Sequence, residues 1–129
     1  PTGIAFSTDG TKLYEVGSDS DQIYESDLST AWDISTATFS QSISTQDDNS
    51  FDIAFSGDGK KLYEVGSGGE KIYESDLAVA WDISTAVFSQ SISTQDSVSY
   101  GIAFSGDGKK LYEVGADYDQ IYEYDLSTA

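Results

Sequence analysis

Short apolar stretches such as Ile4-Ala5-Phe6, Leu13-Tyr14-Glu15-Val16 and Ile23-Tyr24 alternate with clusters of Asp, Gly and Ser along the whole chain. Runs of this kind, rich in Ile, Val, Tyr and Phe and bounded by turn formers, predict β-strands joined by hairpins. The pattern places the first four strands near residues 3–7, 11–17, 22–27 and 38–45. Asp9-Gly10, and later Gly57-Asp58-Gly59 and Gly106-Asp107-Gly108, supply the left-handed backbone positions that a tight first hairpin needs. The next connections, Ser18 to Asp21, Ser67 to Glu70 and Ala116 to Asp119, are short and polar, so the second and third strands are expected to be antiparallel neighbours. A longer link, Leu28 to Ala37 around Trp32, has room for one helical turn but is too rich in Ser, Thr and Ile for a long helix. In Ser40 to Thr45 and Ser89 to Thr94, polar residues alternate with Ile43 or Ile92, as in an outer strand half open to solvent.

The strand pattern repeats. Ile4-Ala5-Phe6-Ser7 recurs from Ile53 and from Ile102, and Leu13 to Gly17 recurs from Leu62 and from Leu111, each at an offset of 49 residues. Ile53 to Gly66 is identical to Ile102 to Gly115, and Ala31 to Ala37 is identical to Ala80 to Ala86. The 129 residues therefore divide into copy one, 1–49, copy two, 50–98, and a partial copy three, 99–129, without its fourth strand: about 2.6 units. Four antiparallel strands at a period of about 40–50 residues are the repeat of a propeller blade. The expected fold is all-β, a propeller-like tandem repeat of four-stranded antiparallel blades.

The run Gly3-Ile4-Ala5-Phe6-Ser7-Thr8-Asp9-Gly10-Thr11-Lys12-Leu13-Tyr14, followed by Gln22 to Leu28, resembles the blade repeat of the YVTN and NHL-like bacterial β-propellers. The resemblance covers about half of each unit and implies that the first strand is innermost and the fourth outermost. Two departures limit it. Thr8, Gly57 and Gly106 stand where those families usually have Pro, and the Ala-Trp-Asp-Ile-Ser-Thr-Ala link is additional, so strand lengths and the outer edge are not carried over.

Composition narrows the partners. Six lysines, no arginine, no histidine and 23 Asp plus Glu give a formal net charge of −17, which repels phosphate backbones and anionic headgroups. Nucleic acid and membrane insertion are thus excluded as expected partners. The acidity suits saline surroundings, where screening acts over about 8 Å or less, and points to a secreted, cell-surface or virion setting. Without Cys there is no disulfide, and without Cys or His no structural zinc site. No apolar run approaches the ~20 residues that span a bilayer. The start at Pro1, without Met or leader, is expected of a mature product, an excised fragment or a partial sequence.

Near-identical copies lacking His, Cys and Arg do not suggest a catalytic constellation, so the chain reads as no enzyme, with no catalytic residue assigned. A propeller hydrolase, the least favoured alternative, would hold a metal through residues that differ from blade to blade, and no such set stands out in the sequence. Glu15, Glu64 and Glu113, with Glu25, Glu74 and Glu123, each follow a tyrosine inside an apolar strand. They are read as facing solvent and pairing with Lys12, Lys61 or Lys110. No cofactor is required; calcium is the cation that Asp19 with Asp21, and Asp117 with Asp119, are suited to take at acidic hairpin tips, although copy two has Gly68 and Gly69 there. Trp32 with Asp33, and Trp81 with Asp82, resemble the aromatic platform and hydroxyl acceptor of a sugar-binding site. Small and apolar neighbours, Ala31, Ile34 and Ala37, favour instead a tryptophan that packs on its own or the adjacent blade.

A run of 2.6 blades does not close a ring by itself. The expected function is a structural or assembly module, with a carbohydrate-binding lectin as the alternative and further copies or further blades as partners. Association is expected through Ile4, Phe6, Leu13 and Val16 at one end, Ile102, Phe104, Leu111 and Val114 at the other, and the open strand edge at Ile121 and Tyr122.

Overall fold

In the computed structural model, which describes residues 1–128, eleven strands form three antiparallel sheets. Ala129, the last residue of copy three, lies outside the described residues. Blade one comprises β1 (Gly3–Phe6), β2 (Lys12–Gly17), β3 (Gln22–Leu28) and β4 (Ala37–Ser44) in that spatial order. Blade two repeats it with β5 (Ser50–Phe55), β6 (Lys61–Gly66), β7 (Lys71–Leu77) and β8 (Ala86–Ser93). Blade three has β9 (Ser99–Phe104), β10 (Lys110–Gly115) and β11 (Ile121–Asp125). First strands neighbour one another, β1 beside β5 and β5 beside β9, so the blades fan out from a shared inner line. The fold is all-β and propeller-like, and no sheet closes on itself.

Local chemistry accounts for the hairpins. Gly10, Gly59 and Gly108 take φ near +72°, +72° and +71°. Before each, an aspartate folds the turn: Asp9 accepts from the Ser7 hydroxyl at 2.7 Å and the Thr11 N–H at 3.0 Å, and these bonds hold its carboxyl down at about 2. The link after β3 makes one 3₁₀ turn, Ile34–Thr36, capped by Asp33, whose carboxylate accepts from Ser35 N–H; Ile83–Thr85 and Asp82 repeat it. Trp32 and Trp81 enter these links at φ +65°, a left-handed setting the sequence pattern did not reveal. Each indole then lies over the turn glycine of its own blade, where an added Cβ on Gly10 or Gly59 would run into the ring.

Gly59→Ala is therefore expected to cost about 2–4 kcal/mol in denaturant unfolding, from the positive φ and the collision with Trp81. Gly57→Ala, in the same turn with open space around it, is expected to stay within about 0.5 kcal/mol. Equal effects would show that the indole does not rest on the turn.

The core lies between blades. Tyr14, Val16 and Ile23 of blade one bury against Ile53, Leu62, Leu77 and Ile83 of blade two. Val65 and Ile72 of blade two meet Ile102 and Leu111 of blade three. Because strand side chains alternate, Leu62 and Glu64 face blade one while Tyr63 and Val65 face blade three. This polarity is the same in every blade.

Candidate functional site at the blade junctions

Two polar devices running in opposite directions along the array fasten the blades, the first at both junctions and the second at the junction of blades one and two. The first is a link that leaves the outer strand of one blade and plugs into the next. The Glu64 carboxylate accepts from the N–H of Gln46 at 2.9 Å, the N–H of Asp47 at 2.8 Å and the Ser50 hydroxyl. One unit later Glu113 accepts from Gln95 N–H at 3.1 Å, Asp96 N–H at 3.0 Å and the hydroxyls of Ser99 and Tyr124. Within the same link Asp47 accepts from the N–H groups of Asn49, Gly68 and Gly69 at 2.8, 2.9 and 2.8 Å. Asp96 does likewise for Val98, Asp117 and Tyr118. Gly66 permits the close approach, since a Cβ there would run into the Asn49 carbonyl and the Asp47 side chain.

Glu64 and Glu113 are thus buried and do not face solvent beside a lysine, contrary to expectation. A carboxylate out of water is tolerable where several N–H and O–H groups converge on it, and the links supply those donors. Burial still pushes the Glu64 carboxyl above its ordinary value of 4.5, with the Gln46, Ser50 and Asp47 donors opposing it. An acid raised on folding stabilises most when protonated, so its contribution falls as pH rises through the folded value. The melting temperature of the native chain minus that of Glu64→Gln is expected to decrease from pH 4.5 toward neutrality. A pH-independent difference would show that Glu64 is not shifted.

The second device is a wedge from the link of one blade into the preceding blade. The Tyr14 hydroxyl donates to the Trp81 carbonyl at 2.5 Å, Gln41 Nε2 donates to both Glu25 and Asp82 at 2.9 Å, and the Ile83 N–H donates to Glu25 at 3.3 Å. Lys12 completes the cluster, 2.5 Å from Glu25 and 2.8 Å from Asp27. The same lysine pairing recurs as Lys61 with Glu74 and Asp76, and as Lys110 with Glu123 and Asp125. Context sets the environment: the glutamate side chain is 1% exposed at Glu25, 16% at Glu74 and 49% at Glu123. Between blades two and three, Tyr63, Glu74 and Gln90 line a cavity of about 320 Å³ at the place corresponding to the wedge. Burial pushes the Tyr63 hydroxyl up to about 12.

Asp52 is an innermost-strand carboxylate that stands where copies one and three have Gly3 and Gly101. It accepts from its neighbour Ile53 N–H at 2.9 Å and from Ile102 N–H of blade three at 3.1 Å, and burial raises its carboxyl. Gly3 is needed, because a Cβ there would collide with Asp52, whereas one on Gly101 would meet Asp52 at ordinary contact distance and press on Val114 of its own blade. The difference is visible in the sequence at the 49-residue offset between copies.

The predicted platform residues separate. Trp81 is half-buried and stacked against Phe55, with its carbonyl in the junction, whereas Trp32 is 60% exposed beside Phe6. Asp33 and Asp82 both cap their 3₁₀ turns, and Asp82 also receives Gln41. At the hairpin tips Asp21 and Asp119 take φ +50° and +53°, Asp117 accepts from the Ser97 hydroxyl, and Asp19 is exposed. Among the described residues no group of three or more Asp or Glu comes together in a form that could hold a metal ion.

The assembly set requires correction. Leu13 and Val16 are an odd number of positions apart in one strand and face opposite sides, so Val16 is buried against blade two. Ile102, Phe104 and Leu111 face blade two, because the side left open on blade one is the side that blade three turns inward. Ile4, Phe6 and Leu13 remain on the outer face of blade one, and Val114 on that of blade three. Ile121, 75% exposed, and half-buried Tyr122 lie on β11, an edge strand.

No known family pattern matches the chain, and no curated protein matches it. Solved structures do. A candidate 6-phosphogluconolactonase from Bacteroides fragilis superposes with a TM-score of 0.73 at 17% identity, over 95% of this chain and 33% of that one. Hydrazine synthase of Kuenenia stuttgartiensis gives 0.73 at 21% identity, over 97% and 32%, and a chain of the mitotic checkpoint complex gives 0.70 at 15% identity, over 96% and 35%. The chain thus spans about a third of the length of these matches. The expectation that it is no enzyme is overturned by the first of them: the same arrangement of blades occurs in a candidate 6-phosphogluconolactonase, so this fold does not exclude catalysis. What these likenesses establish is the fold, a propeller-like array of antiparallel blades.

Proposed function

We propose that the chain is an assembly segment, a run of blades that joins further blades at its two outer faces and along β11 to build a larger propeller-type body. The observation that carries this reading is that both apolar clusters lie between blades and neither lies within one, so an uncovered blade face has no core of its own. Ile4 on one face and Val114 on the other are exposed, as is Ile121 on the edge strand. The acidic surface fits an extracellular or cell-surface location in saline surroundings.

Sedimentation at micromolar concentration is expected to give a mass above the 13.9 kDa of one chain. Because each chain carries a net charge of −17, the assembled fraction is expected to rise with added salt. A stable, folded 13.9 kDa species at every salt concentration would overturn the proposal. A second reading, sugar binding at Trp32, is favoured by that ring's exposure beside Asp33. Glycan-array binding abolished by Trp32→Ala would support it, and a silent array would remove it.

A further inference from the structure

The link that fills Glu64 and Glu113 has an open counterpart on blade one. At the 49-residue offset the receiving groups are the Glu15 carboxylate, Gly17, the N–H groups of Asp19 and Ser20, and the ring of Tyr24. These groups line a cavity of about 450 Å³ on the outer side of the blade. Among the described residues no donor meets the Glu15 carboxylate, whereas Glu64 and Glu113 each receive two link N–H groups and a serine hydroxyl. Gly17 keeps the bare Cα that Gly66 and Gly115 need to admit a link, with Pro1 as its nearest neighbour. Blade one therefore carries the receiving half of a junction whose inserting half is seen twice in this same molecule.

We propose that this cavity is a binding site for a Thr-Gln-Asp link of the kind formed by Thr45 to Asn49 and by Thr94 to Val98, carried by a further unit of this repeat. Two backbone N–H groups of the link point at Glu15, and its aspartate takes the N–H groups of Asp19 and Ser20. The pairing is complementary in both directions, a carboxylate of each partner meeting N–H donors of the other. It continues the junctions already formed at Glu64 and Glu113 without new chemistry. Pro1 stands where Ser50 and Ser99 donate a hydroxyl, so two N–H groups carry the bond to Glu15.

The site rests on the assembly reading but is tested apart from it, with a blocked peptide of the sequence of residues 91–98 titrated into the labelled chain and followed by NMR. Saturable shifts are expected at the Asp19 and Ser20 amides and the Tyr24 ring. Weakening of about tenfold or more is expected for Glu15→Ala, and again for a peptide with alanine in place of its aspartate. Glu15 lies on the outer face, so circular dichroism of Glu15→Ala is expected to match the native chain. No shift at those amides at millimolar peptide, or shifts that neither substitution weakens, would overturn the site. Peptide binding by a chain that sediments as a monomer would leave the site standing while the assembly reading fails. An assembled chain that ignores the peptide would do the reverse.

Discussion

Glu64→Ala is expected to destabilise the chain by about 3–5 kcal/mol, seen as a lower denaturant midpoint at unchanged slope. The carboxylate is the shared acceptor for Gln46 N–H, Asp47 N–H and the Ser50 hydroxyl. Truncation leaves those donors in a closed junction without a partner, at about 1–3 kcal/mol for each one that water does not reach. Such a loss is a large share of the ~5–15 kcal/mol that holds a domain of this size. Glu15→Ala, the same change in the same strand motif, is expected to stay within about 0.5 kcal/mol at dilutions where the chain is unassembled and no link peptide is present, since no donor among the described residues meets that carboxylate. Similar losses at the two positions would show that the glutamate serves its own strand and not the junction.

A comparable loss, about 3–4 kcal/mol, is expected for Ile83→Ala. Ile83 is 0% exposed and sits among Tyr14, Val16, Ile53 and Leu62, so removing its side chain opens a cavity at the centre of the first junction. Its counterpart Ile34 occupies the same place in an identical seven-residue link but lies exposed on blade one. Ile34→Ala is expected to change stability by less than about 0.5 kcal/mol. If both truncations were equally costly, the wedge would be stabilising its own link and the account of the junction would fail.

These pairs show how far the amino-acid pattern reaches. The strands, the Asp-Gly turns, the single helical turn after β3 and the 49-residue period are all legible, because each depends on residues close together in the chain. The third strand of copy three falls at Ile121–Asp125, the segment its apolar pattern marks. Glu64 and Glu113 depart from the solvent-facing expectation for a physical reason, while the lysine pairing holds at Glu25, Glu74 and Glu123. Glu64 follows a tyrosine in an otherwise apolar strand as Glu15 does, and nothing nearby reveals that Gln46 and Asp47 arrive from the previous blade with their N–H groups turned toward it.

Val16, Ile102, Phe104 and Leu111 turn inward, away from the end faces expected of them, for a related reason. Alternation shows that Leu13 and Val16 oppose each other, but the direction in which blades stack selects the covered side. Local sequence thus specifies the unit, its strands, its turns and its period of two, since hairpin closure and backbone conformation are settled within about a dozen residues. The fate of identical side chains is settled only by the neighbouring blade. Trp32 and Trp81, Ile34 and Ile83, and Glu15 and Glu64 are pairs with one local sequence context and two environments, because burial and hydrogen-bond satisfaction depend on atoms from a blade some 49 residues away.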